Sequence, residues 1–197
     1  MFKNNTPAVL FAMLISLTAG PTVAQDASEP PAEIAEQVEL CVSCHGEDGR
    51  PVVENAPILF GQEFYYMFVQ LRDYAAGRRD NETMSPIANE LDRKQMEALA
   101  LYFSEQTWPR TQFSATEQEI AKGQTVGGSG QCPQCHLGGY NGNSRVPRLA
   151  GQKADYLVQT MLDFKNRIRL NAPDKSSLME GFSEEDLKAT AHFLAGL

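Results

Sequence analysis

Cys41-Val42-Ser43-Cys44-His45 is the stretch on which the reading of this chain turns, and it returns 91 positions later as Cys132-Pro133-Gln134-Cys135-His136. Thiols at i and i+3 share one side of a helical turn, and the histidine that follows can face the same way. Cys-x-x-Cys-His is the attachment pattern of a c-type haem: the thiols Cys41 and Cys44, or Cys132 and Cys135, bond the porphyrin, and His45 or His136 offers the proximal iron ligand. The two pentads hold all four cysteines and two of the three histidines of the chain. Zinc or a redox dithiol are the other uses of such cysteines. A structural zinc site needs four ligands where each pentad supplies three, and a dithiol needs neither histidine nor repeat. Two covalently bound haems use every group.

The repeat extends well beyond the pentads. Pro147-Arg148-Leu149-Ala150-Gly151-Gln152 matches Pro57-Ile58-Leu59-Phe60-Gly61-Gln62 at a constant offset of 90, and Tyr66, Leu71, Asp73 and Tyr74 pair with Tyr156, Met161, Asp163 and Phe164. Apolar stripes at helical spacing, such as Phe64, Met67, Phe68, Leu71 and Tyr74, predict helices throughout. Asp92 with Gln95, Thr116 with Glu119 and Ser183 with Asp186 have the spacing of capping boxes. The expected organisation is all-α, in tandem: a signal peptide over residues 1–24, a first haem domain over 25–108, a linker over 109–113 and a second haem domain over 114–197. A domain of about 84 residues has a marginal core, which a covalently held apolar porphyrin would complete.

The signal-peptide reading rests on Lys3, the apolar run Ala8 to Ala19 and small residues before a cleavage point after Ala24. An uncleaved anchor is the rival reading. Export places the protein in the periplasm, with no membrane span in the mature chain and peripheral association still open. Residues 25–108 carry 6 basic and 16 acidic side chains, and residues 109–197 carry 10 and 9. So acidic a first half excludes nucleic acid as a partner and suggests two ends that meet different proteins.

A haem iron held by one histidine needs a sixth ligand or keeps an open position. His192, in the last predicted helix, reads as a surface or packing residue. Met67, Met96 and Met161 fall in apolar stripes and read as core. Met84 and Met179 fall in polar stretches, read as loops, just before each copy's final helix, and are the candidate iron ligands of haem 1 and haem 2. Seven positions separate Met84 from Leu91 but only three separate Met179 from Phe182, so Met179 takes a different path to its iron or does not bind it. A carbonyl near Pro57 or Pro147 is a candidate acceptor for each proximal histidine's second nitrogen. Arg78, Arg79, Arg167 and Arg169 are candidates to neutralise haem propionates. The first copy also lacks a glycine matching Gly123.

With both pentads, both Pro-x-Leu-x-Gly-Gln segments, the tyrosine-bearing helices and a methionine before each last helix, the chain resembles the di-haem cytochrome c4 family of class I c-type cytochromes. The haem subunit of flavocytochrome c sulfide dehydrogenase is a related architecture. The resemblance implies two tandem class I cytochrome c domains, each wrapped round a His/Met haem, in a periplasmic carrier of single electrons rather than an enzyme. Its partners would be redox proteins: a dehydrogenase or other reductase upstream, a terminal oxidase or other acceptor downstream. A permanent electron-transfer subunit of a dehydrogenase is the alternative, and catalysis at an open second haem is a third reading.

Overall fold

The computed structural model describes Met1 and residues 29–197, so the expected signal peptide and its cleavage point lie outside the described residues. Nine helices form among the described residues: α1 (Ala35–His45), α2 (Phe64–Ala75), α3 (Met84–Asn89), α4 (Arg93–Glu105), α5 (Glu117–Ser129), α6 (Cys132–His136), α7 (Ala154–Lys165), α8 (Pro173–Glu180) and α9 (Glu184–Ala195). The only extended pairing among them is a bridge between Asn143 and Val146. The described residues fold as helices.

Three helices start at the expected caps. The side chains of Asp92, Thr116 and Ser183 accept from the backbone N–H of Gln95, Glu119 and Asp186, and the side chain of the later residue accepts in return from the cap's own N–H. Each reciprocal pair satisfies two N–H groups that a helix start leaves without partners.

Two apolar cores follow from the stripes. Ile34, Val38, Phe60, Met67, Phe68, Met96, Leu99 and Phe103 make the first, and Tyr140, Leu157, Met161, Leu187, Phe193 and Leu194 the second. The three stripe methionines are buried there as packing residues. The copies differ where α5 crosses α9. A Cβ on Gly123 would stand 2.5 Å from Phe193 Cβ and 2.7 Å from the Ala189 carbonyl oxygen, so only glycine permits this close crossing. In the first copy Ile34 and Val38 stand before and within α1, and their side chains fill the space against α4.

The second pentad does not continue its helix. α5 ends at Gly130, Gln131 turns into the left-handed region at φ 55°, and α6 restarts at Cys132. Pro133 has no N–H to give and its ring clashes with a continuing turn, while Gly127, Gly128 and Gly130 weaken the helix before it. The first pentad instead completes α1 and is followed by Gly46 at φ 86°, where a Cβ would collide with the backbone of Arg50.

The copies join about a pseudo-twofold axis through their glutamines. Gln152 accepts from Ile58 N–H at 2.8 Å and donates to the Ile58 carbonyl at 3.0 Å; Gln62 does the same with Arg148, at 2.8 and 3.0 Å. Each amide thus mimics a backbone edge and satisfies a peptide unit of the other copy. Each Oε1 also accepts from the next residue's own N–H, opening the following helix. Between the copies Arg148 lies over the Trp108 ring, 4.4 Å from its centroid.

Candidate haem sites

α1 carries Cys41, Cys44 and His45 to the wall of a cavity of about 410 Å³, which Met84 at the start of α3 also lines. The same cavity runs across the domain boundary to Cys135, His136 and Met179. A second cavity of about 290 Å³ lies against Cys132, Cys135, His136 and Met179. Both crevices therefore open towards one shared interior.

The proximal histidines are held alike. His45 Nδ1 donates to the Pro57 carbonyl at 2.8 Å and His136 Nδ1 to the Pro147 carbonyl at 2.9 Å. This fixes each ring and leaves Nε2 with its lone pair, the state a metal needs. Burial lowers both imidazole pKa values, with the proline carbonyls opposing and, at His136, the charge of Lys175 adding to the fall. The imidazoles are neutral at physiological pH.

The thiols do not resemble a redox pair. Burial, helped by the neighbouring Cys44, pushes Cys41 up to about 11, and burial also raises Cys132. An attacking dithiol requires the opposite shift. Among the described residues no three His, Cys, Asp or Glu side chains converge as a metal site.

The arginines separate into two kinds. Arg78 bonds the buried Asp73 and Arg167 bonds the half-exposed Glu180, so both guanidiniums already have a carboxylate partner. Arg79 and Arg169 are buried and line the shared cavity. Arg79 bonds Gln70 Oε1 at 2.9 Å and Tyr156 OH at 3.3 Å, and Arg169 bonds Gln70 Oε1 at 2.7 Å and Tyr66 OH at 3.5 Å. They stack on Tyr74 and Phe164, 4.6 and 4.4 Å from the ring centroids. Neither meets a carboxylate among the described residues. Burial raises the phenol of Tyr156, but Arg79 and Arg169 outweigh it and draw it down to about 7; Tyr66, buried beside it, moves up. Two buried cations without counter-ions usually carry a prohibitive desolvation cost. Carboxylates of a ligand in the cavity would remove it, which fits haem.

The methionines differ from the sequence reading. Neither Met84 nor Met179 lies in a loop: Met84 is the first residue of α3 and Met179 the seventh of α8. His192 is absent from both cavity walls and bonds Glu119 at 2.6 Å beside Phe113. The reciprocal bonds of Gln62 and Gln152, and the bridging of both arginines by Gln70, are features that sequence reasoning missed. The repeated Gly-Gln was the visible signal for the first; the second has none, because Gln70 matches Thr160 in the other copy.

Two crevices, each with a helical Cys-x-x-Cys-His and a carbonyl-anchored imidazole, define a di-haem c-type cytochrome. No protein-family model matches the chain. Cytochrome c4 of Thiocapsa roseopersicina is 32% identical over 188 residues, which cover 88% of this chain and 95% of that protein. A protein of Stutzerimonas stutzeri described as a thiosulfate dehydrogenase electron acceptor is 26% identical, covering 96% of this chain and 91% of its own. The crystal structure of reduced recombinant cytochrome c4 from Pseudomonas stutzeri matches with a TM-score of 0.74 at 29% identity, over 85% of this chain and 99% of that one. The chain belongs to the cytochrome c4 family. It is an electron carrier, not an enzyme, and its cofactors are two covalently bound haem c groups.

Proposed function

We propose that the protein carries single electrons between redox proteins in the periplasm, with residues 25–108 and 114–197 as the two haem domains. Cys41 and Cys44 attach haem 1, and Cys132 and Cys135 attach haem 2. His45 and Met84 hold the first iron, and His136 holds the second from one side. α8 supplies that iron's other ligand, from among the residues that line the crevice, Met179 included. Bound there, haem supplies a one-electron couple. The chain's residues keep the irons closed to other ligands, orient the imidazoles through the proline carbonyls and exclude water with the two apolar cores. The observation that carries this reading is the single cavity shared by both pentads, with Arg79 and Arg169 buried at its centre. Haems held there would share one interior, as transfer between them requires.

Carbon monoxide tests closure. The reduced protein should give no carbon monoxide difference spectrum, and binding at either haem would favour catalysis over carriage. Among the described residues no helix is long and apolar enough to cross a membrane. The likeness to thiosulfate dehydrogenase electron acceptors favours a dehydrogenase as the donor. With its excess of acidic residues, the first half suits a basic partner, so reduction by a basic donor should slow as salt is added. A salt-independent rate would contradict that docking.

A further inference from the structure

The geometry points to Lys175, not Met179, as the sixth ligand of the second haem. This assignment rests on the di-haem reading. The final helices α4 and α9 open at equivalent caps, Asp92 and Ser183, an offset of 91. Counting back from them, the backbone keeps that offset. Leu91 N–H donates to the Ala88 carbonyl as Phe182 N–H does to Met179, and Ser85 N–H donates to Asn81 as Ser176 N–H does to Ala172. Met179 therefore stands where the first copy has the fully buried Ala88, and Lys175 stands where it has Met84. The backbone at 179 lies four residues, about one helical turn or 5.4 Å, past the point from which Met84 is presented.

The side chains behave accordingly. Met179 packs against the second apolar core and, like Lys175, lines both cavities. Lys175 is half-buried, lines both cavities with His136, and forms no salt bridge to any described residue. Deprotonated, its Nζ is a nitrogen donor of the kind a transition-metal iron accepts. Bound haem would be held through the Nζ lone pair, with one proton given up to solvent from the ammonium and no change of oxidation state. An amine favours Fe(III) more than a thioether does, so haem 2 should have the lower potential of the two.

The ferric far-red band of methionine-bound haem is the direct readout. Wild type should show it at the intensity of one haem while both irons are low-spin. Lys175→Met should double the band and raise the lower midpoint potential, and Met179→Leu should leave the band and the spin state unchanged. Near-infrared magnetic circular dichroism of the wild type needs no variant and should show one thioether-bound and one amine-bound iron. A two-haem band in wild type, its loss by half in Met179→Leu, or a high-spin second haem would each overturn the assignment. A pyridine haemochrome count below two per chain would overturn the di-haem reading itself, a result the ligand spectra cannot mimic.

Discussion

Gln152 is 2% exposed and supplies both hydrogen bonds of the Ile58 peptide unit. Gln152→Ala leaves that buried N–H and C=O without partners, and each costs about 1–3 kcal/mol. We expect a loss of roughly 2–4 kcal/mol in urea unfolding of the holoprotein, with Gln62→Ala similar and an exposed-site control such as Gln118→Ala near zero. Arg79 makes the electrostatic counterpart. A buried positive charge disfavours removing an electron from a nearby iron, so Arg79→Leu should lower a midpoint potential, by an energy on the order of 1 kcal/mol. Arg167→Leu, whose guanidinium is half-exposed and paired with the half-exposed Glu180, should leave both potentials nearly unchanged. Equal shifts in the two variants would contradict the division of the arginines.

At the scale of the element, the cap of α5 ties acid stability to one carboxylate. Thr116 N–H, the ring of His192 and the Thr116 hydroxyl together hold Glu119 down to about 2, against an ordinary 4.5. Because the folded value lies below the unfolded one, its contribution is complete above about pH 4.5 and is lost as pH falls towards 2. Glu119→Gln should lower stability at neutral pH, where the carboxylate's contribution is complete, and flatten the pH dependence of unfolding as pH falls from about 4.5 towards 2. The long elements were legible for physical reasons: α2, α4, α7 and α9 run for three or more turns, enough for a stripe to show, and three caps have two-residue signatures. α3 and α8 were read as loops because six and eight residues give too few turns for a period to appear. Met84, Ile87, Leu178 and Met179 also line the crevices. Reading them as loops hid the register that pairs Lys175 with Met84, which becomes visible only from the backbone hydrogen bonds.

Across the whole molecule, the duplication was legible because the same chemistry recurs at an offset of 90 or 91. The join was not. Gln62 meets Arg148 and Gln152 meets Ile58 across 86 and 94 residues, and no local pattern in the chain announces such partners. The pentads, their proline carbonyls and Met84 were all named from sequence. The split between Arg79 and Arg78 needed the fold, because only burial distinguishes two adjacent residues of the same type. What emerges is two similar crevices meeting at a cationic centre, inside a chain whose acidic charge sits on one half. The central claim is that this is a two-haem electron carrier with unequal haems, and a potentiometric titration of the intact holoprotein with optical detection tests it most directly. Two reversible one-electron steps of equal amplitude, at clearly separated midpoints, are the predicted result. A single step worth one haem, or a haem that fails to re-oxidise reversibly, would contradict it.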